Sequence, residues 1–125
     1  MKISVRFDGQ NWSTDPYVAS VRRGTPIEWA FESPGLPSQN VQWTAYFDHG
    51  SPFRLPLTEF SISTTASPPL VHSGTSARPL LQHSGVTSAV YADDPGDYKY
   101  GVRATDLERH SLLGDDDPYL RVSPE

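Results

Sequence analysis

Four histidines, fifteen acids and scattered serines are the residues through which this 125-residue chain could do chemistry. His49, His72, His83 and His110 show neither His-x-x-x-His nor Glu-x-x-His spacing, so a zinc or copper site would have to be assembled from separate loops. The other reading makes them loop histidines, solvated or hydrogen-bonded locally. Nucleophilic catalysis needs a nucleophile, an orienting base and a carboxylate, and here Ser, His and Asp are dispersed. Asp48, His49 and Ser51 share one hairpin end, but adjacent strand residues point to opposite faces. No Gly-x-Ser-x-Gly, phosphate-cradling loop or dinucleotide fingerprint occurs. The expectation is a protein that is not an enzyme and carries no cofactor.

Cysteine is absent, which excludes a disulfide scaffold, a thiolate zinc site, an iron-sulfur cluster and a cysteine nucleophile. The net charge of -5 is local. Asp93, Asp94, Asp97, Asp106, Glu108, Asp115, Asp116 and Asp117 against Lys99, Arg103 and Arg109 account for all of it. Such oxygen ligands could hold calcium, but three consecutive Asp side chains cannot all face one ion, and solvated Asp-Pro turns at Asp94 and Asp117 explain them as well. An acidic balance also speaks against nucleic-acid and anionic-membrane partners. The first fifteen residues hold no signal-like apolar run, and no stretch of about 18 apolar residues occurs anywhere. A cytoplasmic protein is the expectation.

Period-two alternation, with no sustained helical stripe, predicts an all-β chain. Ile3, Val5 and Phe7 alternate with Lys2, Ser4 and Arg6. Further strands are expected at Tyr17 to Val21, at Ile27 to Glu32 with a closing turn at Ser33-Pro34-Gly35, at Val41 to Asp48, and at Thr58 to Ser63. Val86 to Tyr91, Tyr98 to Ala104 and Tyr119 to Val122 supply the rest. The sum is one domain over residues 1–125, a single antiparallel Greek-key β-sandwich of seven to eight strands. Its expected core is Val5, Phe7, Val18, Ile27, Trp29, Phe31, Val41, Trp43, Phe47, Phe60, Ile62, Val90, Tyr98, Tyr100, Val102, Leu120 and Val122. In the Ser/Thr/Pro-rich middle, Pro69 to Gly74 resembles Pro79 to Gly85, each ending in His-Ser-Gly. A two-fold binding element through His72 and His83 is one reading; two short edge strands or turns is the other.

Asp94-Pro95-Gly96-Asp97-Tyr98-Lys99-Tyr100 has the form Asp-x-Gly-x-Tyr-x-(core residue), which resembles the entry to strand F of immunoglobulin-like domains. That resemblance implies a tyrosine corner at Tyr98, whose hydroxyl would bond to upstream backbone. Tyr100 stands where the antibody-domain Cys would. Taken with Val21 to Trp29, the same segment is also similar to cupredoxins, but with no Cys, and Met1 the only Met, a type 1 copper centre is chemically excluded. What both resemblances imply is a sandwich frame.

A non-catalytic binding or accessory protein is the expected function, acting on another protein or on itself through a sheet face, an edge strand or the 63–85 loop. Tyr17, Tyr46 and Tyr91 are the candidate outward aromatics, with His72 and His83 beside them. The alternative is a metal- or ligand-binding sandwich using the histidine loops or the acidic C-terminal turns.

Overall fold

Inward residues at every second position fix the strands. In β1 (Lys2–Phe7), Ile3, Val5 and Phe7 are buried while Lys2, Ser4 and Arg6 face solvent, the pattern of a half-buried pleat. The computed structural model describes residues 1–8, 10–36, 40–53, 58–65 and 81–125, with the backbone alone at 34–36 and 81–82. His72 and most of the 63–85 loop lie outside the described residues.

Following β1 come β2 (Trp12–Asp15), β3 (Val18–Arg22), β4 (Thr25–Leu36), β5 (Asn40–Tyr46), β6 (Glu59–Thr65), β7 (Leu81–Val86), β8 (Val90–Ala92), β9 (Gly96–Lys99), β10 (Gly101–Asp106), β11 (Ser111–Asp116) and β12 (Tyr119–Ser123). Among the described residues there is no helix. The chain is all-β, as its alternation predicts, but its described residues form three sheets rather than a plain seven- or eight-stranded sandwich. The first has order β2-β1-β4-β7 with β8 also on β4, the second β11-β10-β5-β6, and the third β3-β12-β9. Pairing is not purely antiparallel: β1 runs parallel to β4, and β3 parallel to β12.

The first two sheets enclose an aromatic core. Trp29 of β4 packs against Phe47, Phe53, Phe60 and Tyr100 at ring-centroid distances of 6.1, 6.1, 5.6 and 5.8 Å, and its indole N–H donates to the Tyr100 hydroxyl at 3.2 Å. Beside it Phe31 stacks on Trp43 at 5.3 Å. The aromatic inward faces of β4 and β5 thus meet at the centre from two facing sheets.

Several expectations are corrected. Val18 is exposed, because β3 turns Ala19 and Val21 inward. Ile62, Val90 and Tyr98 are half-buried, packed against the core. Ser33-Pro34-Gly35 does not close β4, which continues to Leu36 opposite Leu81 across an irregular register. Val86 to Tyr91 spans the end of one strand and the start of another, separated by residues 87–89, where the Thr87 hydroxyl accepts the backbone N–H of Trp29 at 3.0 Å. His83 is not a loop residue: it is 1% exposed on β7, with Nδ1 2.8 Å from the Thr64 hydroxyl, which also accepts the Trp43 indole N–H at 3.0 Å. Buried polar groups must be satisfied, and this chain of contacts does so between the two sheets.

One pair of strands crosses between sheets. β10 pairs with β11 in the second sheet, and their continuations β9 and β12 pair with each other in the third. A single hairpin thus bends at Tyr100 and at Asp117-Pro118, held by the Tyr100 N–H donating to the Pro118 carbonyl at 3.0 Å. Asp115 and Asp116 consequently sit in β11, not in a turn. On the entering side, the Tyr98 hydroxyl donates to the Asp94 carbonyl at 2.9 Å, the bond expected of a tyrosine corner.

Candidate functional site

The hairpin bend is where chemistry-bearing side chains converge. Tyr46, Asp48, His49, Lys99, Tyr100, Gly101 and Asp117 line a cleft of about 200 Å³ there. Alternation delivers Tyr46 to it, since Val41, Trp43 and Ala45 of the same strand take the inward positions. Gly101 is required beneath it: a Cβ at that position would collide with the Tyr46 ring. The Arg103 guanidinium lies 4.8 Å from the Tyr46 centroid and 3.6 Å from Glu59, so the ring is held between a backbone and a cation.

Adjoining the cleft is the outer face of the third sheet. Register places Val18, Tyr119 and Lys99 in one row across β3, β12 and β9, and Ser20, Arg121 and Asp97 in the next. Arg121 and Asp97 pair at 3.6 Å. Tyr119 stands edge-on to Tyr17 at 6.0 Å, and the Lys99 ammonium sits 6.0 Å from the Tyr119 ring centre. Tyr17, Val18 and Tyr119 are 44%, 44% and 39% exposed, an apolar patch on an otherwise polar face. Tyr17 also serves as a clasp. Its hydroxyl donates to the Asp117 carbonyl at 2.7 Å and its own carbonyl accepts the Tyr119 N–H at 2.9 Å.

The structure therefore joins two of the expected tyrosines, Tyr17 and Tyr46, through Asp117 and Lys99. Tyr91 is exposed on β8 opposite Pro26 and does not line the cleft. His83 cannot contribute to a surface because it is buried in the core. Asp48 and His49 come to the cleft from the hairpin-end triplet, whereas nothing in residue type points to Tyr119, Lys99 or Gly101. Alternation of Tyr119 with buried Leu120 and Val122 is the signal that could have found the first.

Electrostatically the cleft offers donors from Lys99, His49 and the Tyr46 hydroxyl, and acceptors from Asp48 and Asp117. Burial, then the neighbouring Asp115, Asp117 and Asp48, push the Tyr46 hydroxyl above its ordinary value of 10.0, with Arg103 opposing. It stays protonated as a donor at neutral pH. Burial likewise raises the Tyr98 and Tyr100 hydroxyls, Tyr100 by the larger amount. A folded-state value above the unfolded one means that stability is complete below the unfolded value and is lost as pH rises through that value towards the folded one. Stability measured by denaturant should therefore be level to about pH 9.5 and then fall. From Tyr100 alone the slope grows towards about 1.4 kcal/mol per pH unit as the pH passes about 11, and Tyr100→Phe should flatten the decline. Among the described residues no three His, Asp or Glu side chains gather in a way that could hold a metal ion.

Comparison with models of known protein families and with curated proteins found no match to this chain.

Proposed function

We propose that this chain is a non-catalytic binding module with an immunoglobulin-like or cupredoxin-like sandwich frame, and that it engages another protein through the outer face of its third sheet. The observation that carries this is the exposed row Val18–Tyr119–Lys99 with Tyr17 packed edge-on against it. A tyrosine held by packing on one side and open on the other loses little side-chain freedom on binding, and such residues concentrate interface energy. The Tyr98 to Asp94 hydrogen bond supports the frame. Tyr119 is the residue to test, because its side chain makes only surface contacts. A tagged chain should retain a protein from the lysate of its own cells, and Tyr119→Glu should abolish retention with an unchanged thermal midpoint. Equal retention by the variant would contradict the assignment of this face.

The cleft favours a second reading, in which a small polar ligand is held between Lys99 and Asp117. Zinc, copper, calcium and a small zwitterion such as glycine, each assayed by thermal shift, separate the readings. The binding-face reading expects none to raise the midpoint.

A further inference from the structure

β3 ends the third sheet, and no described strand pairs with its outer edge. Two backbone bonds fix its phase: the Tyr119 N–H donates to the Tyr17 carbonyl and the Arg23 N–H to the Ser123 carbonyl, each at 2.9 Å. In a parallel ladder with the observed register, odd-numbered residues of β3 therefore bond to β12. The phase turns Val18, Ser20 and Arg22 to the open edge. Val18 and Ser20 each present one donor and one acceptor; Arg22 presents its N–H, while its carbonyl already accepts the Thr25 hydroxyl at 2.6 Å and has one lone pair left. Such a row is a template for another strand.

The three outward-bonding residues are centred on Ser20, and the charges at the two ends of β3 are opposite. Arg22 and Arg23 are exposed at one end, and among the described residues neither makes an ion pair. At the other end Tyr17 bonds Asp117, Thr14 bonds the Asp116 carboxylate at 3.0 Å, and Asp15 is exposed. We infer that β3 pairs antiparallel with β3 of a second copy of this chain, about a two-fold axis at Ser20. The two Ser20 residues exchange both backbone bonds; the Val18 carbonyl accepts the N–H of the second copy's Arg22, and the Val18 N–H donates to that Arg22 carbonyl, which it shares with Thr25. Ala19 falls opposite the second copy's Val21, so every inward residue stays inward. Arg23 of each copy arrives beside Tyr17 and the acids of the other. A parallel pairing would bring like charges together, a one-residue shift would set inward residues against outward ones, and a two-residue shift would lose one of the three bonded pairs.

The inference rests on the reading of the chain as a binding module and extends it: the paired sheets would carry two Tyr119 faces side by side, giving a bivalent surface.

Sedimentation velocity over a concentration series tests the pairing. Wild type should rise from 13.8 kDa towards twice that mass. Ser20→Pro removes an N–H that faces only the open edge, so it should fold with an unchanged circular dichroism spectrum and remain monomeric. Should that variant fail to fold, Arg22→Glu with Arg23→Glu decides, and it should weaken the dimer roughly tenfold or more. Raising NaCl from about 50 to about 500 mM should also weaken the wild-type dimer. A wild type that stays at 13.8 kDa throughout, or a dimer equally stable in the folded Ser20→Pro variant, overturns the inference. A monomeric wild type whose lysate capture still depends on Tyr119 overturns the self-pairing and leaves the binding face standing. A dimer lost in Ser20→Pro, with capture indifferent to Tyr119, supports the pairing and removes the proposed face.

Discussion

Trp29→Ala should lower the stability of the fold by about 3–5 kcal/mol, seen as a fall of roughly 10–25 °C in thermal midpoint. The indole is fully buried and touches four other aromatic rings drawn from both sides of the core. Truncation loses its transfer free energy and leaves a cavity that Phe47, Phe60 and Tyr100 cannot close without giving up contacts with their own neighbours. It also removes the donor to the hydroxyl of Tyr100, a buried residue, leaving that oxygen without its partner. Trp29→Phe should cost clearly less, since it retains most of the ring packing and forfeits chiefly the hydrogen bond. If alanine and phenylalanine proved equally mild by equilibrium denaturation, Trp29 would not be the centre of the core.

Gly101→Val should cost about 1–3 kcal/mol through overpacking, and the cost should largely disappear in a chain that also carries Tyr46→Ala. The reason is geometric. Gly101 begins β10 just past the bend, and the space a side chain would need is filled by the Tyr46 ring. With the ring present, valine must push Tyr46 off Arg103 and out of the cleft; with the ring gone, the space exists. A double-mutant cycle therefore reads the contact directly. A penalty that is unchanged in the Tyr46→Ala background would place the strain in the backbone of Gly101 instead.

Much of this architecture is legible in residue order because burial is one-sided. Ile3, Val5 and Phe7, then Ile27, Trp29 and Phe31, then Val41, Trp43 and Ala45 each alternate against polar neighbours, so both strand and facing follow from the pleat. Alternation is least informative where an element depends on a distant neighbour. β2 is only four residues, Trp12–Asp15, with one aromatic. β11 carries a glycine and two aspartates that ordinarily signal a turn, yet Gly114 is there because the Trp12 indole lies against it, a contact made across 102 positions of chain at the nearby Thr14–Asp116 bond. Val18 and Val21 tempt opposite phases of the same strand. The polar Ser20 and Arg22 in register with Val18 decide for Ala19 and Val21 inward. Tyr98 to Ala104 alternates without interruption, so nothing local announces that Tyr100 carries the chain from one sheet to another. That switch builds the cleft, and it exists only because β12 and β5 lie on either side of it. His83 was hidden for a related reason: a Gln-His-Ser-Gly run reads as loop until Thr64 and Trp43 supply the hydrogen bonds that let it be buried.

The account centres on the claim that the outer face of the third sheet is where this chain meets its partner. The most direct measurement is a residue-resolved one: amide spectra of isotope-labelled protein, alone and in the lysate of its own cells. Signals from Tyr17 to Arg22, Asp97 to Lys99 and Asp117 to Ser123 are predicted to broaden selectively, while those of β6 and β7 stay sharp, and Tyr119→Glu is predicted to restore the free spectrum. Broadening centred on β6 and β7, or a lysate spectrum identical to that of the protein alone, would contradict the claim.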